Sequence, residues 1–302
     1  MWSNGPGLQP KGLPEVQEQF DELLHHLRIP LSLPSSEKLS RLRALPADML
    51  IEATLKMKHH QFRAVTDNAF VRPDLFKDIE SGVFAANIRE RGINLLIGEC
   101  SDEHHVYGAW RPPSQPSLRS LFERLEADYP VKACEALMGH YFPDGKMPRG
   151  WRSWREAFGR VYADTQIHTL QRGFVDRLAR AGAGGLIYRY RIEWRAVCVN
   201  APKEWGATHG TDLAIWLWGN GMGKGLMEKE KRLVEEALVE PLARFLRGEA
   251  VEWGTEGIRE VRRLRSDGSV DVWQDDRWNE GIQVWEDLMK VDLITGKRAA
   301  KL

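Results

Sequence analysis

Cysteine is scarce in this sequence, and its distribution excludes a fold held together by disulfide bonds. The three cysteines, Cys100, Cys134 and Cys198, are odd in number and lie far apart along the chain. Disulfide-rich domains and structural zinc sites use even or closely spaced sets of cysteines. We therefore expect neither a disulfide framework nor a zinc site built from these thiols.

The sequence also lacks an excess of charge of either sign. Lys and Arg together number 43, and Asp and Glu together number 43, so the formal net charge is zero at pH 7. Proteins that bind nucleic acid or an anionic membrane surface normally carry a basic excess. We therefore expect no nucleic-acid partner.

Long apolar runs are missing as well. No run approaches the roughly 20 residues that a membrane-spanning helix requires, so we expect no membrane span. The N-terminus has no basic region followed by an apolar stretch, as a signal peptide would have. The compartment is left open by the sequence, and it is cytoplasmic if Met1 is the genuine N-terminus.

The composition that remains is that of an ordinary globular protein. The chain has 302 residues, of which 42% are hydrophobic and 28% charged, which is enough to bury a substantial core. Twelve tryptophans hint at an aromatic-lined pocket for apolar ligands.

Two short segments have the pattern of strands in a parallel sheet. Residues 93–97 form a short apolar run closed by Gly98, and residues 186–192 alternate between apolar and polar side chains. Predicted helices lie between the two segments. Strands joined in this way are expected to be parallel neighbours.

The rest of the pattern agrees with an α/β fold. A long helix is predicted over residues 154–181, with Gly173 as a candidate break, and residues 260–265 and 270–273 flank a turn and predict a C-terminal hairpin. The sequence therefore predicts a mostly parallel sheet with flanking helices. Residues 1–302 are expected to form a single domain.

Charged and imidazole side chains follow the first predicted strand. Asp102, Glu103 and His104 come at its C-terminal end, where reactive groups gather in open α/β sheets. A carboxylate there can accept the N–H of a catalytic histidine and stabilise the imidazolium. We predict this role for Glu103, with Asp102 as the rival assignment. The alternative is a solvated acid in a loop.

A histidine far downstream is the predicted partner of Glu103. His209 follows a long loop, residues 193–208, and precedes a helix. A loop in this place can carry a mobile general base into a site at the top of the sheet. The alternative is a surface histidine at the start of a helix. Asp212 is predicted to be an acidic residue in the first turn of that helix.

The sequence offers no convincing site for a metal ion or a phosphate-bearing cofactor. Adjacent histidines occur at residues 25–26, 59–60 and 104–105. Adjacent side chains point to different faces of a helix or strand, so such pairs make poor chelates, and we expect no metal. The Gly-rich residues 219–225 lack the ending of a phosphate loop and follow no strand, so we expect a flexible connection and no cofactor.

A serine in the setting of a catalytic nucleophile is missing from the sequence. The sharp strand-to-helix turn that exposes such a serine requires glycine two residues before it and two residues after it. No serine here has both; Ser3 is followed by Gly5 but preceded by Met1. Cys100 lacks these glycines too, and we interpret it as structural.

These residues resemble the C-terminal half of a type-B carboxylesterase, of the cholinesterase/lipase group within the α/β-hydrolase fold. Residues 98–103 resemble that family's Gly-x-x-x-Asp-Glu-Gly catalytic-acid segment, with His104 in place of the last glycine. Residues 208–212 resemble its His-Gly-x-Glu catalytic-histidine segment, with Asp212 in place of Glu.

Other stretches carry the same resemblance. Residues 187–190 and 245–248, with Trp253 downstream, are similar to family residues, and residues 3–5 are similar to the Ser-Gly that follows the nucleophile helix. The similar segments run across nearly the whole chain in the family's order.

The resemblance implies an ester hydrolase with a Ser-His-Glu triad and an acyl-enzyme mechanism. Glu103 and His209 would be two members of the triad, with Asp212 in support, and a small-molecule ester would be the substrate. It also implies that the nucleophile segment and the oxyanion-hole glycines belong upstream of Met1. The chain would then be one partial carboxylesterase domain, inactive alone.

Two alternatives stay open at this point. One is a non-catalytic binding or interaction protein with an α/β-hydrolase-like fold, and the other is a complementing second chain that carries the missing half. The sequence does not specify the ester.

Overall fold

A four-stranded sheet organises the molecule. The computed structural model describes residues 5–220 and 223–291. Within these residues the strands are β1 (Leu95–Cys100), β2 (Ile187–Ile192), β3 (Glu260–Leu264) and β4 (Val270–Gln274). Their spatial order is β1-β2-β3-β4; β1 and β3 are parallel to β2, and β4 is antiparallel to β3. The predicted α/β fold, the parallel pair and the hairpin are confirmed.

Helices make up about half of the described chain and cover the sheet. They are α1 (Leu13–His26), α2 (Ser35–Ala44), α3 (Ala47–Lys56), α4 (Leu75–Glu80), α5 (Val83–Glu90), α6 (His104–Ala109), α7 (Leu118–Glu126), α8 (Val131–Tyr141), α9 (Trp154–Ala163), α10 (Thr169–Leu178), α11 (Leu213–Trp216), α12 (Glu228–Val234), α13 (Glu240–Leu246) and α14 (Trp278–Lys290). Short 3₁₀ turns occur at Gly184–Leu186 and Lys203–Trp205. Among the helices of residues 5–220 and 223–291, none is both long and apolar enough to cross a membrane.

The register of β1 and β2 brings their carboxyl ends to the same level. Cys100 lies opposite Ile192, and the next backbone N–H, that of Ser101, donates to the carbonyl of Ile192 at 2.9 Å. The N–H of Asp102 then donates to the carbonyl of Ala207 at 2.9 Å. The turn after β1 and the loop after β2 therefore meet at one edge of the sheet.

The sheet separates two hydrophobic clusters. Leu96 and Ile97 are adjacent in β1 but belong to different clusters, because successive side chains of a strand point to opposite faces. The larger cluster contains side chains of α7 to α10 and α14, and the smaller contains side chains of α11 and α12. Burial on both faces explains why three apolar residues follow one another at positions 95–97 of the sequence.

Gly173 does not break the helix that the sequence predicts over residues 154–181. α10 runs through Gly173, and the α geometry is interrupted instead by π-helical turns at Asp164–His168 and Ala179–Ala183. Gly173 is required for packing, because a Cβ at this position would lie 2.4 Å from the Cβ of Trp285 in α14.

Candidate active site

Glu103 lies directly after β1, at the start of α6, and its side chain is held from the strand. The residue is 2% exposed, and its Oε1 accepts the backbone N–H of Cys100 at 3.0 Å. A buried carboxylate requires such partners. This contact fixes one oxygen and leaves Oε2 directed away from the strand end.

His209 contacts that second oxygen. Its Nδ1 lies 2.9 Å from Oε2 of Glu103. An ionised carboxylate can only accept hydrogen bonds, so Nδ1 donates and Nε2 carries the lone pair. The His209 side chain is 36% exposed while that of Glu103 is 2% exposed, an arrangement in which a buried acid orients a more accessible base. The structure therefore brings the two predicted residues together.

Thr208 ties the His209 loop to α6, and the sequence interpretation did not single it out. Its Oγ1 accepts the N–H of Val106 at 3.2 Å and donates to the carbonyl of Glu103 at 3.4 Å. The residue is 1% exposed. Its place directly before His209 is the only signal the sequence gives, because both partners are about 100 residues away.

Tyr107 forms a wall of the site and was also not singled out. It lies one helical turn after Glu103, and its ring packs against the imidazole of His209, with the ring centroids 5.1 Å apart. Tyr107 in turn packs on Tyr162, again at 5.1 Å between centroids. The i,i+4 spacing from Glu103 on a helix was the available signal.

Burial and charge shift the pKa values of this group of residues. Burial lowers the pKa of His209, but the hydrogen bond and the charge of Glu103 outweigh burial, so the pKa is raised overall. Burial, assisted by the charge of Glu103, raises the pKa of Asp212. The histidine is thereby made a better proton acceptor, as a general base requires.

Asp212 lies close to Glu103 and His209, but its side-chain hydrogen bond is to another residue. The residue is 4% exposed, and its Oδ2 accepts the indole N–H of Trp216 at 3.0 Å. Its influence on His209 is through charge. It lies at the N-cap of α11, one residue before the first turn in which the sequence predicts it, with its side chain directed along the helix.

Asp102, the rival assignment for the acid, is engaged elsewhere. Its Oδ2 accepts the hydroxyl of Ser101 at 2.6 Å.

Cys100 is buried, and burial together with the charges of Asp212 and Glu103 raises the pKa of its thiol well above the usual value. A thiol in this state stays protonated and is a poor nucleophile.

Metal-ligating side chains come together once in the part of the chain that the structure describes. Asp102, His104 and His105 each offer one ligand atom, and these atoms lie within 4.8 Å of one another.

Two segments that the sequence analysis discusses lie partly outside the described residues. They are residues 221 and 222 of the Gly-rich segment 219–225, and residues 3 and 4 of the segment 3–5.

The sheet and the His–carboxylate pair at its carboxyl edge place this protein among the α/β-hydrolases. Solved structures show the same fold. EstA of Aspergillus niger superimposes with a TM-score of 0.67 and 15% identity, over 96% of this chain and 58% of EstA. The carboxylesterase EST55 of Geobacillus stearothermophilus gives a TM-score of 0.58 and 17% identity, over 94% of this chain and 57% of EST55.

Two curated relatives indicate to which family within the α/β-hydrolase fold this chain belongs. A carboxylic ester hydrolase of Gibberella moniliformis is 43% identical over 291 residues, which are 95% of this chain and 53% of that protein. An uncharacterised esterase/lipase of Schizosaccharomyces pombe, C417.12, is 35% identical over 288 residues, 93% of this chain and 52% of that protein. No family model matches the sequence. The chain belongs to the type-B carboxylesterase family and spans about half the length of these relatives.

Proposed function

We propose that this chain supplies the acid and the general base of a serine-dependent carboxylic-ester hydrolase. The observation that carries the proposal is the contact of 2.9 Å between His209 Nδ1 and Glu103 Oε2, at the carboxyl edge of two parallel neighbouring strands. In the reaction, His209 Nε2 accepts the proton of the nucleophile and returns it to the leaving alcohol. Glu103 holds the imidazole in the required tautomer and stabilises its charged form.

The nucleophile and the oxyanion donors come, on this proposal, from outside the 302 residues. Support comes from the sequence, in which no serine has the flanking glycines of a nucleophile turn, and from the relatives, of which the chain spans about half. Oxyanion donors often supply the largest single part of the rate. We therefore propose that residues 1–302 are one partial domain that does not hydrolyse esters alone.

The proposed substrate is a small carboxylic ester, bound by the completed enzyme. The names of the relatives support this substrate class. The preferred acyl and alcohol groups would be selected by a pocket to which the absent part contributes.

The first test is the activity of the purified chain. With a p-nitrophenyl ester we expect no turnover beyond that of the His209→Ala variant, and no serine labelled by a fluorophosphonate probe. The variant is the necessary control, because it keeps the slow background hydrolysis of an activated ester by the other imidazoles of the chain. Serine-type turnover that His209→Ala abolishes would overturn the proposed inactivity.

The second test assigns the roles by reconstitution. The chain is produced together with the part of the Gibberella relative that it does not match, and the complex should hydrolyse the ester. His209→Ala and Glu103→Gln should each lower kcat by about 10⁴-fold. The matched control is His140→Ala, since His140 lies 3.5 Å from Asp287 in another His–carboxylate pair; it should retain full activity. Turnover that survives His209→Ala would contradict the assignment.

A further inference from the structure

Asp102, His104 and His105 form a second group of side chains on the turn between β1 and α6. Their ligand atoms lie within 4.8 Å of one another, and the rings of the two histidines have centroids 4.1 Å apart. All three residues are partly buried. They flank Glu103 in the sequence but take no part in its contact with His209, so the proposed ester hydrolysis leaves them without a role.

Neighbouring groups hold two of these side chains in place. The hydroxyl of Ser101 donates to Asp102 Oδ2 at 2.6 Å, and the backbone N–H of His105 donates to the carbonyl of Asp102 at 3.1 Å. The ring of His105 is parallel to that of Trp205, with 6.5 Å between centroids. Such outer contacts orient the ligands of metal sites.

Gly206 leaves the space that the Asp102 carboxylate occupies. Its φ is +57°, and a Cβ at this position would lie 2.5 Å from Asp102 Oδ2. Any other residue would be strained and would displace the carboxylate. The loop after β2 is thus shaped around Asp102.

The two histidines line a cavity of about 260 Å³ together with Trp205 and the start of α9. The two arginines that line this cavity already have hydrogen-bonding or ion-pair partners. Arg155 donates to the carbonyl of Gly108 at 2.8 Å, and Arg152 pairs with Glu156 at 3.0 Å. A group bound by the histidines would therefore have one side open to the cavity.

We propose that Asp102, His104 and His105 bind a divalent transition-metal ion, of which zinc is the best match. Two imidazole nitrogens and one carboxylate favour Zn²⁺, Ni²⁺ or Cu²⁺ over Mg²⁺ and Ca²⁺, which take oxygen ligands. Bonds of zinc to such ligands bring the ligand atoms to roughly 3.3 Å from one another, so the present ligand atoms, within 4.8 Å of one another, would have to close in by at most about 1.5 Å. The cavity provides a fourth coordination position for water.

This site departs from the expectation that adjacent histidines do not chelate. Here the pair lies in the first turn of α6, where the preceding Asp102 turns back toward both rings. Metal binding is independent of the proposed ester hydrolysis, and it would tie down the turn that carries Glu103.

The test is calorimetric titration of the chain, without a histidine tag, with Zn²⁺. We expect saturable binding of one ion per chain. His104→Asn and His105→Asn should each weaken it by more than about 100-fold, and Ser101→Ala, which removes an outer contact, by about 10-fold. Visible absorption of bound Co²⁺ in the unmodified chain gives a readout that does not depend on the folding of any variant.

The matched control is the double variant His25→Asn/His26→Asn. That pair is also adjacent, with ring centroids 6.0 Å apart, so it tests whether adjacency alone binds zinc; the affinity should be unchanged. No saturable binding by the unmodified chain, equal binding after His104→Asn, or a loss in the control as large as at residues 104 and 105 would each refute the site.

Discussion

Burial and the Glu103 carboxylate act on the imidazole of His209 in opposite directions. Burial lowers its pKa, Glu103 raises it, and the second effect is larger. A histidine whose folded pKa is raised stabilises the folded state fully below its unfolded value, about 6.5, and this stabilisation is lost as the pH rises through the raised folded value.

Glu103→Gln should therefore lower the pKa of His209, because the opposing burial is left in place. It should also cost more stability near about pH 6 than near about pH 9, since only the charged imidazole benefits from the carboxylate. NMR titration of the imidazole and thermal unfolding at the two pH values measure both effects.

Asp102→Asn is the control at this scale. The substitution removes a negative charge one residue away from Glu103, yet the charges that act on the pKa of His209 are those of Glu103 and Asp212. The titration of His209 should not change in this variant. An unchanged pKa in Glu103→Gln would mean that the 2.9 Å contact does not exist in solution.

At the scale of elements, the position of Glu103 depends on how closely α6 approaches α9. Gly159 in α9 faces the start of α6, and a Cβ at this residue would lie 2.2 Å from the backbone oxygen of His104. That oxygen belongs to backbone and cannot turn aside. The two helices can keep this separation only while residue 159 has no side chain.

Gly159→Ala should destabilise the protein by about 1–3 kcal/mol through overpacking, and it should also weaken the Glu103–His209 contact as α6 moves. Denaturant unfolding measures the first effect and the His209 titration the second. Gly139→Ala in α8 is the matched control, because nothing lies within 4 Å of a Cβ there. It should be neutral or stabilising by up to about 1 kcal/mol; equal losses in both variants would contradict the packing explanation.

Sequence patterns predict elements better than they predict what those elements touch. The apolar run at residues 93–97 and the alternation at 186–192 locate β1 and β2 and their parallel pairing, although β1 extends through Gly98 to Cys100. Gly173 was interpreted as a candidate helix break because its partner, Trp285, is not visible in local sequence. The pairing of Glu103 with His209 was predicted from their places after the strand and the long loop and from the family resemblance, not from periodicity.

At the scale of the whole molecule, a buried set of charges joins segments that are distant in sequence. Arg172 of α10 is fully buried and pairs with Glu99 of β1 at 2.8 Å and with Asp275, after β4, at 2.9 Å. Asp275 also pairs with Arg189 of β2 at 2.6 Å. Burial alone would raise the pKa of Glu99, but Arg172, His168 and Arg191 hold it well below its usual value.

Arg172→Met should cost about 3–5 kcal/mol, because it leaves two buried carboxylates without their main partner. The measurement is the free energy of unfolding in denaturant. Arg119→Met, which breaks the exposed pair with Glu123, should change stability by less than about 1 kcal/mol. Similar losses in both variants would show that the buried set is not a special source of stability.

This network could not be predicted from the sequence. Its contacts span 73 and 103 residues, and isolated charged residues such as Glu99 and Arg172 look like ordinary surface positions in a linear pattern. Only the assembled sheet shows that they are enclosed.

The two margins of the sheet have opposite characters. β4 is half-exposed along its length, with Val270, Val272 and Gln274 exposed, whereas β1 is buried from Leu96 to Cys100 and has a neighbouring strand on one side only among the described residues. A strand that is buried on both faces and has an unpaired backbone edge readily recruits other chains. Handling this polypeptide by itself thus invites self-association, and supplying a complementary strand during expression should improve its recovery in the soluble fraction.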